Sequence, residues 1–125
     1  MPAIAPLVRP LSSVPEVRVD RARGASMRVL VGPDDGADCL ITRCFTLSPG
    51  GRIPCHRHPD IEHQQLVLEG EMVVSLDGSE RVARALDCLL IPAGTAHSYE
   101  NRGDRPVRFL CMIPRTEGYA TEWLE

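Results

Sequence analysis

Histidine is the residue type whose spacing in this sequence indicates chemistry most directly. Three of the four histidines, His56, His58 and His63, lie within the stretch CHRHPDIEHQQLVLEGE, and His97 follows in PAGTAHSYEN. Side chains two residues apart on a β-strand point to the same side, with their Cα atoms about 6.5 Å apart, so His56 and His58 can converge on one ion. Because neutral imidazole suits Zn, Cu, Fe and Ni and tolerates Mn, this spacing predicts a site for one divalent transition metal.

Short apolar runs, which begin at Met27, are the candidate strands on which these histidines lie. Their β-branched or alternating apolar residues are typical of strands, and the runs read MRVLVG, DCLITRCFTL, QLVLEGEMVVSL, ERVARALDCLLIP, TAHSYEN and PVRFLCMIP. Turn signals separate them at 32–36, 48–51, 77–78, 92–94 and 101–104. Strands at this spacing predict an all-β sandwich or barrel, and only the tail TEGYATEWLE could form a short helical turn.

Length, charge and cysteine usage exclude several classes of protein. The 125 residues suffice for one domain, and the 14 basic residues are scattered arginines that leave a net charge of −3, which argues against a nucleic-acid partner. The five cysteines form no CxxC pair, and the sequence shows neither a secretory signal nor a membrane span. We therefore expect free thiols and a cytoplasmic location. Prolines recur through residues 1–17 and predict an extended N-terminal arm.

Two motifs resemble those of the cupin superfamily. The first family motif, G(x)5HxH(x)3–4E(x)6G, is matched by Gly50, His56, His58 and Gly70. The second, G(x)5PxG(x)2H(x)3N, is matched by Pro92, Gly94, His97 and Asn101, while Leu86 replaces its leading glycine. The resemblance covers residues 18–115 and implies a double-stranded β-helix, or jelly-roll barrel, between the arm (1–17) and a tail (116–125).

The sequence departs from the first motif at its glutamate position, which holds His63. The resemblance is then to small single-domain cupins with a four-histidine site, and it implies His56, His58, His63 and His97 as ligands of one ion, with Mn or Fe favoured and Zn, Ni or Cu also suitable. The neighbouring Glu62 is the alternative ligand. Four neutral imidazoles leave the full dipositive charge, which attracts an anionic ligand. Because protonated imidazole cannot coordinate, metal affinity should fall as the pH drops through about 6.5.

Strand alternation proposes further residues for a substrate pocket. Gln65 shares the face of His63 and can orient a substrate by a hydrogen bond or bind water. In the run PVRFLCMIP, Phe109 and Cys111 point to the same side and are expected inside the barrel. A free cysteine is more often a buried packing residue than a reactive one, so Cys111 is expected to shape the cavity.

Arg43 and Tyr99 are the remaining candidates on the inner face. Arg43 lies in an apolar stripe, where a charge is costly unless it is paired, so it should hold either a substrate carboxylate or an internal acid. Tyr99 shares the parity of His97 and can supply a hydroxyl proton. Glu62 is the other candidate for moving a proton.

Three functions remain open from the sequence. The first is a metal-dependent oxidoreductase of the dioxygenase type acting on a small organic molecule, because a histidine-bound ion with open positions can bind O₂ or an anionic substrate. The second is a non-redox isomerase, lyase or cyclase in which the ion polarises a carbonyl group. The third is a non-catalytic domain that binds a small molecule. The resemblance to small cupins also implies a homodimer.

Overall fold

Antiparallel β-strands form almost all of the regular structure. A computed structural model of the chain describes residues 4–116 and 118–125. Two 3₁₀ turns, Leu11–Ser13 and Pro33–Asp35, are the helical segments within that part of the chain. The all-β prediction is therefore confirmed. The strands are β1 (Val17–Arg18), β2 (Arg23–Val31), β3 (Leu40–Arg57), β4 (His63–Glu69), β5 (Glu71–Leu76), β6 (Ser79–Arg84), β7 (Cys88–Ile91), β8 (His97–Glu100), β9 (Val107–Pro114) and β10 (Glu122–Trp123).

Strand β3 is 18 residues long and connects the two parts of the barrel. Its first half pairs mainly with β2 and β9, and its second half pairs with β8 and β10. The main pairing order is β6-β5-β8-β3-β9-β4-β7, which curls into a nearly closed barrel. The single strand β3 therefore contributes residues to both parts of the barrel.

The segment 48–51, which the sequence predicts to be a turn, lies inside β3, and the register of β3 against β2 shifts there, between Leu47 and Arg52. Gly50 has a φ of +79°, a value that glycine adopts without a steric cost. At Gly51 a Cβ atom would lie 2.5 Å from the carbonyl oxygen of Gly24, so a larger residue would force the two strands apart. These glycines let the strand change direction without ending.

The helical turn predicted for the tail is wrong. Within residues 118–125 the regular structure is the strand β10, in which Glu122 lies opposite Arg57 and Trp123 opposite His56. The Leu124 amide also donates to the Cys55 carbonyl at 2.9 Å. The edge of β3 presents unpaired backbone groups that an added strand satisfies, and this tertiary contact outweighs the local preference.

Residues 4–17 of the N-terminal arm are extended apart from the 3₁₀ turn and lie against the outer surface. Arg9 pairs with Asp35 at 2.8 Å and donates to the Leu30 carbonyl at 2.6 Å. Val14 is the one buried residue among residues 4–17 of the arm. The described residues contain no helix of the length and apolarity that a bilayer crossing requires.

Alternating side chains fill the interior of the barrel. In β9 the residues Val107, Phe109, Cys111 and Ile113 are buried, and the residues between them are less buried. This confirms the alternation predicted for that run. The core continues through Leu47, Val67 and Met72, which have no exposed surface.

Candidate metal centre

Three histidines from two neighbouring strands and the residue after one of them meet inside the barrel. His56 lies near the end of β3, His58 directly follows that strand, and His97 begins β8 opposite His56. One ring nitrogen from each of the three lies within 4.8 Å of the other two. All three side chains are buried, whereas Arg57 between the first two is exposed. Three convergent imidazoles are a donor set that suits a divalent transition metal.

His63 lies next to this cluster at the start of β4. Its ring centroid is 4.9 Å from that of His58 and 5.5 Å from that of His97, and its side chain is buried. The nitrogen cluster itself comprises the other three histidines. His63 as the fourth ligand therefore stays a prediction.

Glu62 is not brought to the cluster. Its side chain is exposed, and its Oε2 accepts a hydrogen bond from Gln64 Nε2 at 3.2 Å. Neighbouring side chains along an extended chain point to opposite sides, so an inward His63 turns Glu62 outward. This position suits neither the alternative ligand role nor the proton-transfer role that the sequence suggested for Glu62.

Backbone carbonyl groups orient the three clustered histidines. The Nδ1 atoms of His56 and His97 lie 2.7 Å from the Pro54 carbonyl oxygen and 2.8 Å from the Thr95 carbonyl oxygen, respectively. His58 Nδ1 lies 3.2 Å from the Ala120 carbonyl oxygen. A carbonyl oxygen can only accept, so each neutral ring carries its proton on Nδ1 and presents the lone pair of Nε2. This is the form of histidine that binds a metal.

Burial also keeps these rings neutral. Loss of solvation lowers the pKa of His58 and His97 to about 4 and the pKa of His63 to about 3. Burial lowers the pKa of His56 in the same way, against the opposing effect of its bond to Pro54. A neutral imidazole needs no deprotonation before it coordinates, so the charge state fits a bound cation.

A cavity of ≈ 220 Å³ contains the histidines. Aromatic rings form much of its wall. Phe45 and Phe109 stack with centroids 5.2 Å apart, and Tyr99 stacks on Phe109 at 5.0 Å. The pocket residues predicted from strand alternation, Arg43, Gln65, Phe109 and Cys111, all line this cavity.

A chain of hydrogen bonds links the polar residues of the wall. Gln65 Nε2 donates to Tyr99 Oη at 2.8 Å and to Cys111 Sγ at 3.3 Å. Arg43 Nη2 donates to the same sulfur at 3.2 Å, and Arg43 Nη1 donates to Tyr119 Oη at 3.0 Å. Burial raises the pKa of Tyr99 well above its usual value, so its hydroxyl group keeps its proton.

The tail contributes cavity residues that sequence reasoning missed. Tyr119, Thr121 and Trp123 line the cavity, and the Trp123 ring lies 4.9 Å from the His56 ring. The Thr121 hydroxyl is 3.2 Å from His58 Nδ1. The aromatic residues of the segment YATEW were the one feature of the sequence that could have indicated a role for the tail in the cavity, and the prediction of a helical turn did not use them.

Comparisons with known proteins agree with this architecture. The family model described as a cupin domain matches residues 43–113. The chain is 36% identical to polyketide synthase CurC of Streptomyces cyaneus over 98 residues, which are 78% of this chain and 64% of that protein. It is 39% identical to quercetin 2,3-dioxygenase of Bacillus subtilis (strain 168) over 56 residues, 45% of this chain and 17% of that enzyme.

A solved structure of similar size has the same fold. The polyketide cyclase RemF from Streptomyces resistomycificus superposes with a TM-score of 0.87 and 27% identity, covering 97% of this chain and 87% of RemF. The chain thus spans just under two thirds of the length of CurC and most of RemF. With the family model matching more than half of the sequence, the expected jelly-roll fold is confirmed, and the chain belongs to the cupin family.

Proposed function

We propose that this cupin is a metal-dependent cyclase that forms a carbon–carbon bond within a small poly-β-ketone. The observation that carries the proposal is a cluster of neutral imidazoles in an apolar, aromatic-walled cavity. The likeness to RemF, which is a polyketide cyclase, and to the polyketide synthase CurC supports the choice of substrate class. Among the three functions left open by the sequence, the likenesses favour the non-redox one.

The proposed reaction is an intramolecular aldol condensation. A CH₂ group between two ketones loses a proton, and its carbon attacks a third ketone carbon, whose oxygen takes up a proton. Loss of water then completes the unsaturated ring. The atoms balance without an oxidant or a reductant, so the reaction needs no O₂.

We assign His56, His58 and His97, with His63 as the fourth, as the residues that would hold a divalent ion, and such an ion would supply Lewis acidity towards a ketone oxygen. Gln65 holds the Tyr99 hydroxyl group from both sides, because its Nε2 donates to the hydroxyl oxygen at 2.8 Å and its Oε1 accepts the hydroxyl proton at 3.1 Å. Tyr99 keeps this proton and would turn it from Gln65 to a substrate oxygen when the substrate binds.

The aromatic wall excludes water and packs against a planar, unsaturated chain. The cavity is smaller than the roughly 300–1,000 Å³ typical of ligand pockets. It therefore encloses the reacting segment of the substrate. The rest of the chain would leave through the mouth, where Arg18, Asp20 and Thr121 are the exposed lining residues.

Anaerobic incubation with a synthetic poly-β-ketone tests the proposal. Protein loaded with Zn or Mn should give a cyclic product lighter by one water, detected by mass spectrometry, and His97→Ala should abolish it. Tyr99→Phe should retain the metal and slow ring closure by about 100-fold, the effect of removing one donor to a developing oxyanion. Absence of product with every loaded metal would refute the cyclase.

Dioxygenase activity is the second candidate, and the likeness to quercetin 2,3-dioxygenase favours it. It requires a redox-active ion such as Mn or Fe, and it predicts O₂ uptake with substrate that stops under anaerobic conditions or with Zn. Turnover without O₂ supports the cyclase instead. Saturable binding of the ketone without turnover would favour the third, non-catalytic function.

We further propose that the protein acts on small molecules as a cytoplasmic homodimer. Support comes from the family resemblance and from the arm, where Ile4, Leu7 and Val8 are exposed apolar residues. Light scattering of the purified full chain measures the mass of the assembly, and a mass of one chain would contradict the dimer.

A further inference from the structure

The buried polar residues of the barrel carry an unbalanced charge. Seven polar or charged side chains are buried among the described residues, and they are Arg43, His56, His58, His63, Gln65, His97 and Asn101. The histidines are neutral, and none of the seven is a carboxylate. Arg43 is thus the one permanent charge of the interior in residues 4–116 and 118–125. A cation in an apolar interior is costly without an anionic partner.

The hydrogen bonds of Arg43 leave this charge unmatched. Its two bonded partners are the Tyr119 hydroxyl oxygen and the Cys111 sulfur, and its buried Nε has no partner. Surface arginines on the same strand do find carboxylates, since Arg52 pairs with Glu125 at 2.7 Å and Arg57 with Glu122 at 2.8 Å. A guanidinium group has five N–H donors, so Arg43 retains donors for a ligand.

Packing holds the guanidinium group in one place on the cavity wall. Arg43 lies opposite Cys111 across the β3–β9 pair, and its Cζ is 5.1 Å from the Phe45 ring centroid. It lines the same cavity as the histidines. The planar fork of arginine binds a carboxylate through two hydrogen bonds, and here the fork is already ordered before any ligand arrives.

We infer that Arg43 is the subsite for a carboxylate group of the substrate, so that the cavity takes a keto acid and not a neutral ketone. The inference extends the proposed function by naming the substrate class, and the role of Arg43 in catalysis rests on that proposed function. The carboxylate enters the cavity, shares the guanidinium N–H groups with Tyr119 and Cys111, and fixes which ketone of the chain lies beside the histidines. The anionic end supplies the charge that the interior lacks.

Benzoate and benzamide, which have the same shape and differ in charge, test this subsite without catalysis. Binding is measured by calorimetry on metal-free protein in a chelator at pH 8, where the histidines are neutral. Trp123, the single tryptophan of the chain, lines the cavity and gives a second signal by fluorescence. Wild-type protein should bind benzoate about tenfold more tightly than benzamide, as a charge-assisted pair of hydrogen bonds requires.

Arg43→Met should abolish the preference for benzoate and leave the affinity for benzamide within about twofold, because only the charged contact is lost. Arg108→Met is the matched control, since Arg108 is on β9 and pairs at the surface with Glu69; it should keep the preference. A folded Arg43→Met protein that still prefers benzoate overturns the inference. Equal affinities in wild-type protein overturn it without any variant.

The outcomes separate this subsite from the cyclase itself. If the benzoate preference depends on Arg43 but no ketone or keto acid is cyclised, the subsite stands and the cyclase fails. If a neutral poly-β-ketone is cyclised as fast as the matching keto acid, and benzoate has no advantage, the cyclase stands and the carboxylate subsite fails.

Discussion

His63 is the residue at which the sequence of this cupin departs from the first family motif. A glutamate ligand neutralises one charge of a divalent ion, and a histidine ligand neutralises none. The interior holds no buried carboxylate among the described residues, so nearby side chains do not restore the balance. A centre of this kind should attract anions more strongly than the usual cupin centre.

Replacing His63 tests its role as the fourth ligand. We expect His63→Ala to lower the affinity for Zn or Mn by about tenfold or more, because one coordinate bond is lost. Chelator competition followed by metal analysis measures this. Glu62→Ala is the matched control, since Glu62 is the exposed neighbour, and it should leave the metal content unchanged. A site emptied by the glutamate change alone would reverse the assignment.

At the scale of elements, two strands decide how the site is assembled. Strand β3 carries Arg43 in its first half and His56 in its second half, both buried, and His58 directly follows its last residue. Strand β10 then adds the tail to the edge of β3, which brings Trp123 to the His56 ring. The tail therefore covers the histidine cluster and supplies carbonyl and hydroxyl partners to His58.

Weakening the attachment of β10 to β3 should make a bound metal ion more accessible to a chelator. Trp123 also lies under the Arg21 guanidinium group, 5.2 Å from its Cζ, so Trp123→Ala removes two contacts and should destabilise the docked tail by about 1 kcal/mol. We expect faster release of bound metal to a chelator in stopped-flow measurements. Leu124→Ala, at the exposed neighbouring residue, is the control. Identical release rates for Trp123→Ala and wild type would show that the tail does not cover the site.

At the scale of the whole molecule, the barrel encloses four basic groups that stay unprotonated. In the unfolded chain each histidine has a pKa of about 6.5, whereas the folded values are about 4 for His58 and His97 and about 3 for His63. Between these limits the unfolded chain binds more protons than the folded one. Folding stability must therefore fall as the pH decreases through this window.

We predict that metal-free protein loses stability as the pH falls from about 6.5 towards 4, by up to about 1.4 kcal/mol per pH unit for each histidine. Urea unfolding in a chelator at several pH values measures the slope. His97→Gln removes one titrating group and should make the slope shallower. A free energy of unfolding that stays constant or increases as the pH is lowered from 7 to 5 would contradict the neutral, buried state of the histidines. The lowered pKa values also move proton competition for the metal below the pH of about 6.5 expected from free histidine.

The fold and the centre of the site could be predicted from the sequence. Turn signals and alternating apolar runs predicted an all-β sandwich or barrel, and the resemblance of two motifs to the cupin family implied the jelly-roll barrel and the ligands His56, His58 and His97. Alternation also placed Phe109 and Cys111 on the inner face. The alternation could be predicted because the direction of a side chain within one strand follows from its position along that strand.

Which distant residues complete the cavity became visible in the folded chain. Arg43 and Tyr119 are 76 residues apart and share a hydrogen bond, and the tail that was expected to turn as a helix adds a strand instead. The choice between Glu62 and His63 as the inward residue was also open, because Pro59 interrupts the strand after His58 and the alternation does not carry across it. Contacts of this kind depend on the unpaired strand edges and the uncompensated charges of the folded barrel. Neither can be predicted from a local sequence pattern.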